Sequence, residues 1–99
     1  MSQKIQGVLP VVHMPYNTDL SIDYGALEAQ IDWLFATGAQ GFCLALVSDL
    51  LRLSAQERLG LPARLVGFAK GRGPVIISTG AESTLQAQAF SRAAQEGGA

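Results

Sequence analysis

One pattern occurs three times along this 99-residue chain: a short apolar run, a polar loop, and then a segment with apolar residues at helical spacing. The apolar runs are residues 7–13, 41–47 and 75–78. Their period is roughly 35 residues, the size expected of a strand with its crossover helix. Repeated strand–helix units predict an α/β fold with parallel strands. Because three parallel strands leave faces uncovered, the pattern indicates the opening part of a larger α/β domain.

The three apolar runs differ in how clearly they predict a strand. The middle run is uninterrupted apolar sequence, which is typical of a parallel strand covered on both faces. The first run contains Pro10, which has no N–H to donate to a ladder. We therefore expect the first strand at an edge or beside an irregularity. The third run follows Gly73 and Pro74, which introduce it as turn residues.

The first helix has clear limits in the sequence. Asp23 is predicted to cap its start, and Gly38 is predicted to end it. Its apolar residues fall at helical spacing, which predicts one buried face. These residues are Leu27, Ile31, Leu34 and Phe35.

The second and third helices each follow a hydroxyl residue with capping-box spacing. Ser54 and Glu57 predict the start of the second helix, because the hydroxyl and the carboxylate each accept a backbone N–H bond of the first turn. Pro62 lies inside that helix and predicts a kink or an early break near residues 60–61. Residues 83–86 offer a second capping box. The apolar residues predicted to face the sheet from the third helix are Leu85, Ala89, Phe90 and Ala93.

Composition and charge exclude several classes of function. The chain is 48% hydrophobic and 15% charged, which is typical of a globular protein. Its formal net charge is −1 and its basic residues are scattered, so nucleic acid is excluded as a partner. No signal-peptide pattern and no apolar stretch of the roughly 20 residues that span a bilayer are present, so we expect no membrane association and a cytoplasmic location. The single cysteine, Cys43, lies in an apolar run and is predicted to be a packed thiol.

Polar residues collect where the predicted strands end. Parallel strands have all their carboxyl ends on one side, so residues 13–17, 48–51 and 78–84 are expected to meet there. Ligands of α/β sheets and barrels bind at this edge, and helix N-termini there present unpaired amides to anions. The sequence therefore predicts a site for an anionic small molecule. It contains no metal-ligand cluster, phosphate loop or Ser/His/Asp spacing, and we predict no metal and no cofactor.

Each candidate residue in these loops has two interpretations. His13 is either a histidine with a structural hydrogen bond or a proton shuttle. Asp49 is either a loop acid bonded to nearby amides or a functional carboxylate. Thr79 and Gly80 are either turn formers or ligands of the small molecule. Ser83 is either a helix cap or a site residue.

Three segments resemble the dihydrodipicolinate synthase and N-acetylneuraminate lyase family of class I aldolases. Residues 14–16, MPY, resemble the Thr-Pro-Phe that ends the family's first strand. Residues 53–58, LSAQER, are similar to the family's Leu-Ser/Thr-x-x-Glu helix start. Residues 74–84, PVIISTGAEST, are similar to Pro-Val-Ile-x-Gly-Thr-Gly-x-x-Ser-Thr, which is the most specific match. The resemblance covers essentially the whole chain.

The second loop departs from the family pattern. Residues 46–49, LVSD, stand where the family has Gly-Thr-Thr-Gly-Glu, whose hydroxyls and amides hold the carboxylate of a pyruvate-like 2-oxo acid. Ser48 keeps one hydroxyl, and Asp49 is the match for the glutamate. The substrate-binding residues implied by the resemblance are therefore Val47, Ser48, Asp49 and Thr79.

The resemblance also implies a reaction, Schiff-base formation, whose catalytic lysine is not expected among these residues. Class I aldolases form a Schiff base between a lysine amine and a ketone. In the family the reactive lysine lies on the sixth strand, and a proton-relaying tyrosine lies on a strand before it. The lysines here are Lys4 and Lys70, both predicted to lie on the face opposite the site. No catalytic residue is therefore expected within these residues.

The resemblance implies that residues 1–99 are a partial TIM barrel, the N-terminal three βα units of a (β/α)8 fold that typically needs roughly 250 residues. The implied activity of the whole enzyme is that of a lyase or aldolase acting on pyruvate or a related 2-oxo acid, and the fragment alone is expected to be inactive. Family members are commonly homo-oligomers, dimers or tetramers. Two alternatives stay open: a divergent barrel that binds a small anionic ligand or a protein partner without turnover, and an autonomous three-stranded module completed by self-association.

Overall fold

The structure is a computed structural model that describes residues 4–45 and 50–99. Helices and strands alternate along these residues, as an α/β fold requires. A short 3₁₀ turn, Leu50–Arg52, precedes the second helix. The elements in chain order are α1 (Tyr24–Ala36), β1 (Phe42–Leu44), α2 (Ala55–Ala69), β2 (Val75–Ile77) and α3 (Thr84–Gly97).

The two strands are parallel neighbours, which confirms the predicted strand direction. Phe42 pairs with Val75, and Leu44 pairs with Ile77. The ladder continues one residue further, because the amide of Ser78 donates to the carbonyl of Leu44 over 3.1 Å. Each strand is three residues long, and all three residues of each are paired.

The first predicted strand, residues 7–13, is not a strand in the structure. It forms one isolated parallel bridge, between Val11 and Cys43. The amide of Cys43 donates to the carbonyl of Pro10, and the amide of Val12 donates to the carbonyl of Cys43, both over 2.9 Å. Pro10 has no N–H with which to extend the ladder in the other direction, so the pairing stays local. The segment nevertheless runs parallel to β1. It lies on the opposite side of β1 from β2, so the spatial order is first segment, β1, β2.

Helix α1 begins and ends as the sequence predicts. The side chain of Asp23 accepts a hydrogen bond from the amide of Ala26 at the first turn. Gly38 follows the last turn with a φ of 107°, a left-handed conformation that glycine adopts without strain. Leu27 and Ile31 are buried, whereas Leu34 and Phe35 pack against the core from partly buried positions.

Helix α2 is continuous from Ala55 to Ala69, so of the predicted kink or early break near residues 60–61 the break is wrong. Ser54 and Glu57 form both bonds of the capping box. Pro62 lies within the helix and is buried, and helical structure continues on both sides of it despite the missing N–H. The helix ends at Ala69, and Lys70 caps it in a left-handed conformation with a φ of 53°.

Helix α3 packs mainly against α2, and its orientation corrects one prediction. Ser83 caps the helix by accepting from the amide of Gln86, which is the serine half of the predicted box. Phe90 is 4% exposed, but Leu85 is 78% exposed and does not face the sheet. The two residues are five positions apart, or about 140° around the helix, so they cannot share its buried face. Gly97 allows the close approach to α2, because a Cβ there would lie 2.8 Å from the backbone nitrogen of Ala63.

The hydrophobic core lies between one face of the sheet and the helices. Side chains of β1, α1 and α2 contribute most of its buried residues. No helix of the described residues covers the opposite face of the sheet, and we call it the open sheet face. It comprises Val11, His13, Cys43, Ala45, Ile76 and Ser78.

Candidate active site

The first segment and β2 leave the sheet at the same edge, the carboxyl edge, because both run parallel to β1. His13 stands at the end of the first segment and Ser78 directly follows β2. The prediction that polar loops meet at this edge therefore holds for the first and third loops. Val47, Ser48 and Asp49 lie outside the described residues.

The backbone of His13 is held by the side chain of Gln30 on α1. The amide of His13 donates to Oε1 of Gln30, and Nε2 of Gln30 donates to the carbonyl of His13, both over 2.8 Å. The amide group of glutamine has a donor and an acceptor, so it satisfies both backbone groups as a neighbouring strand would. The structural hydrogen bonds of His13 are thus made by its backbone, and its side chain is exposed.

The first loop continues into a tight turn that leads to α1. The carboxylate of Asp19 accepts from the amide and the hydroxyl of Ser21, over 3.0 and 2.6 Å. These two bonds lower the pKa of Asp19 from its ordinary value, with the hydroxyl bond the larger cause. The turn therefore carries an ionised carboxylate that its own residues already satisfy. It gives the first loop a fixed path from the sheet to Asp23.

The third loop is held by a buried arginine of α2. Arg58 is 7% exposed, and its Nη2 donates to the carbonyl of Gly80 over 2.8 Å and to that of Ser78 over 3.5 Å. The guanidinium carbon lies 3.9 Å from the ring centroid of Phe90 on α3. Burial lowers the pKa of Arg58 from its ordinary value, but a guanidinium of this kind stays charged. Two carbonyl oxygens and a ring face thus surround one charge and fix the path of the loop between them.

The side chain of Thr79 points toward helix α3. The hydroxyl of Ser91 on α3 donates to Oγ1 of Thr79 over 3.0 Å. Thr79 thus joins the third loop to α3, and this bond uses the hydroxyl that the sequence assigned to substrate binding. Its backbone stays at the carboxyl edge.

A cavity of about 490 Å³ opens behind this edge, between the starts of α2 and α3. Its polar lining includes Arg58 and Ser83, and its apolar lining includes Leu53 and Phe90. The cavity lies on the helical side of the third loop. It is therefore separate from the open sheet face. Of the two interpretations of Ser83, the structure shows the helix cap, because its hydroxyl accepts from the amide of Gln86 in the first turn of α3.

Lys70 lies at the other end of the molecule. It follows the last turn of α2 and precedes the turn that enters β2, so it is at the amino edge of the sheet. Its amine is 3.9 Å from the carboxylate of Glu28 and 4.0 Å from that of Asp32. Arg72 donates to the same Asp32 over 2.7 Å. This charged cluster joins α1 to the turn before β2.

Three residues that support the carboxyl edge were missed in the sequence: Gln30, Arg58 and Ser91. Each lies on a helix and contacts a loop 12 to 22 positions away along the chain. The capping box before Arg58 places it on the first turns of α2, but no local pattern indicates that it reaches the third loop.

Within residues 4–45 and 50–99, no cluster of three or more His, Cys, Asp or Glu side chains is arranged to hold a metal ion. In the same part of the chain, no helix is both long enough and apolar enough to cross a membrane.

The amino-acid sequence matches the model of the dihydrodipicolinate synthetase family over residues 4–99. The 4-hydroxy-tetrahydrodipicolinate synthase of Neisseria gonorrhoeae is 38% identical over 96 residues, which is 96% of this chain and 33% of that protein. The synthase of Methanococcus vannielii is 34% identical over the same shares. The chain therefore spans about a third of the length of the curated relatives it matches.

Solved structures give the same result. The N-acetylneuraminate lyase of Proteus mirabilis superimposes with a TM-score of 0.85 at 28% identity, over 93% of this chain and 32% of the lyase. The chloride-inhibited dihydrodipicolinate synthase of Acinetobacter baumannii, solved in complex with pyruvate, has a TM-score of 0.84 at 27% identity, over 97% of this chain and 33% of that one. The family match thus extends over nearly all of this chain, and its residues belong to the dihydrodipicolinate synthetase family.

Proposed function

We propose that residues 1–99 are the first three βα units of a (β/α)8 barrel, and that the whole protein is a Schiff-base-forming aldolase or lyase acting on pyruvate or a related 2-oxo acid. The family match over residues 4–99 is the observation that carries this proposal. The matched relatives are about three times as long as this chain, which leaves room for five further units. The pyruvate bound by the Acinetobacter baumannii relative supports the class of substrate.

The geometry of the sheet is what such a barrel needs. Active sites of (β/α)8 barrels lie at the carboxyl ends of the strands, and here the first and third loops leave the sheet at that edge. The open sheet face carries apolar residues such as Val11 and Ile76, which suit the packed interior of a barrel. The helices cover the other face, as the outer layer of a barrel does.

The substrate-binding residues of this proposal are Val47, Ser48, Asp49 and Thr79. The second loop would hold the carboxylate of the 2-oxo acid, with the hydroxyl of Ser48 and backbone amides as donors. The bond from Ser91 to Thr79 favours a backbone role for Thr79. We expect no cofactor, because the chemistry of a Schiff base needs only an amine and a ketone.

The catalytic lysine would lie beyond residue 99. Lys70 is held by two carboxylates at the amino edge, away from the loops that would carry substrate. Lys4 precedes the first segment and is exposed. We further propose a cytoplasmic homo-oligomer, a dimer or tetramer, as the resemblance implies. The family match does not favour the alternative of a barrel without turnover.

Borohydride trapping tests this proposal. The full-length protein is incubated with pyruvate and borohydride, and the adduct is located by peptide mass spectrometry. We expect a covalent pyruvate adduct on a lysine beyond residue 99. The double variant Lys4→Arg, Lys70→Arg should give the same adduct, and the isolated chain 1–99 should give none. Failure to trap pyruvate on the full-length protein, or an adduct on Lys70, would contradict the proposal.

A further inference from the structure

A row of three residues crosses the open sheet face at the carboxyl edge: His13, Ala45 and Ser78. Cys43 pairs with Ile76, and the bond from the amide of Ser78 to Leu44 continues that register, so Ala45 lies beside Ser78. The bridge between Val11 and Cys43 likewise sets His13 beside Ala45. The row therefore follows directly from the register of the sheet.

The alternation along each segment assigns these side chains to the open sheet face. Val12 and Met14 are buried in the core, so the residue between them, His13, is on the other side. In the third loop the hydroxyl of Thr79 contacts α3, so its neighbour Ser78 also lies on the open side. The row nearer the amino edge is Val11, Cys43 and Ile76, which is apolar.

Both ends of the row have a fixed backbone. Gln30 bonds the amide and the carbonyl of His13. The amide of Ser78 is bonded to Leu44, and Arg58 donates to the carbonyls of Ser78 and Gly80. Side chains that contact a substrate need this kind of support, because a loosely held group does not keep a productive geometry.

The small side chain of Ala45 leaves a gap between the two polar residues. Neighbouring strands are about 4.8 Å apart, so the Cα atoms of His13 and Ser78 are roughly 10 Å apart across Ala45. This spacing would admit a small polar group of a ligand between them. None of the three segments that form the open sheet face, residues 7–13, 42–45 and 75–78, contains a lysine or arginine. The gap therefore suits an uncharged hydroxyl better than a carboxylate.

We propose that Ser78 is a specificity-determining residue that binds a hydroxyl group of the aldehyde partner substrate, with His13 forming the opposite wall of the gap. This inference rests on the proposed aldolase function. The family motif matched by residues 74–84 has glycine at this position. The hydroxyl of Ser78 is therefore a feature of this chain that the motif does not include. Ser78 would select a hydroxylated aldehyde over the corresponding alkyl aldehyde, because the latter leaves the serine without its partner.

The test measures aldehyde-dependent consumption of pyruvate by the full-length protein, with glyceraldehyde and with propanal. The wild type should prefer glyceraldehyde, and Ser78→Ala should lower the ratio of the two kcat/KM values by about tenfold, the effect of one lost hydrogen bond. Ser78→Thr keeps a hydroxyl and should keep the preference. Ser91→Ala removes a nearby hydroxyl on α3, away from the open sheet face. It should change kcat/KM for the two aldehydes by the same factor and leave their ratio unaltered.

The outcomes separate this inference from the function on which it rests. A wild type that traps pyruvate but shows no preference for glyceraldehyde would overturn the role of Ser78. An unchanged ratio in Ser78→Ala, with pyruvate trapping intact, would do the same. A wild type that traps no pyruvate at all would remove the aldolase function and this inference with it.

Discussion

At the scale of single residues, Arg58 is the buried side chain with the most consequences for the site. It has no carboxylate within 4 Å among the described residues, and carbonyl oxygens of the third loop accept its hydrogen bonds instead. A buried charge is tolerated only when its donors are satisfied, so the loop and the arginine stabilise each other. The ring of Phe90 adds a cation–π contact in the same place.

Asp32 makes the stability of the amino edge depend on pH. The hydrogen bond from Arg72 holds the pKa of Asp32 below its ordinary value, and Lys70 adds to this effect, while desolvation opposes it. A carboxylate with a lowered folded-state pKa stabilises the protein above its unfolded-state pKa of about 4. The stabilisation is lost as the pH falls through the lowered folded-state pKa.

Asp32→Asn should therefore lower the urea midpoint of the full-length protein at pH 7, and the difference from wild type should disappear in acid, once the pH is below the lowered folded-state pKa of Asp32. Urea denaturation followed by circular dichroism across pH measures this. Arg72→Gln should remove most of the effect of Asp32→Asn in a double-mutant cycle. A difference of equal size at pH 7 and in acid would contradict the assignment.

At the scale of elements, the helix starts show how much depends on one side chain. Helix α2 has the complete capping box of Ser54 and Glu57, whereas α3 has the single bond from Gln86 to Ser83. Both caps were predictable, because a cap and its partner lie three residues apart. The continuity of α2 through Pro62 was not, because it depends on the packing around that buried residue.

Ser54→Ala should destabilise the full-length protein by about 1 kcal/mol, because it leaves an amide of the first turn without its acceptor. Ser54→Asp keeps an acceptor and should retain most of the stability. Ser83→Ala provides the comparison for a cap without the reciprocal bond, and its effect should be smaller. Urea midpoints of the three variants measure the order, and an equal loss for Ser54→Ala and Ser54→Asp would exclude capping as the cause.

At the scale of the whole molecule, the open sheet face is the main uncovered apolar surface of the sheet. Val11 is 42% exposed and Ile76 is 38% exposed, although both belong to segments that pair with β1. Unpaired strand edges and exposed apolar faces favour association with another chain. In the proposed barrel, later strands would cover this face.

The isolated chain 1–99 should consequently self-associate at micromolar concentration, which analytical ultracentrifugation measures as a mass above that of the monomer. Ile76→Lys places a charge on the open sheet face and should reduce the association. Leu85→Lys changes an exposed residue of α3 instead and should leave it unchanged. A folded, monomeric chain 1–99 would contradict the prediction that the open sheet face drives self-association.

The amino-acid sequence alone predicted the helix caps, the alternation of the helices with two of the strands, and the parallel direction of those strands. The caps and the alternation depend on residues close together in the chain, and the parallel direction follows from the helix that connects the two strands. The family resemblance followed from the same local segments, and the comparisons confirmed it. Tertiary structure decided that residues 7–13 form only a bridge, that Leu85 is exposed, and that the hydroxyl of Thr79 faces α3. It also brought Arg58 to the third loop. These outcomes depend on contacts between residues distant in sequence, where packing rather than local pattern sets which side a group faces.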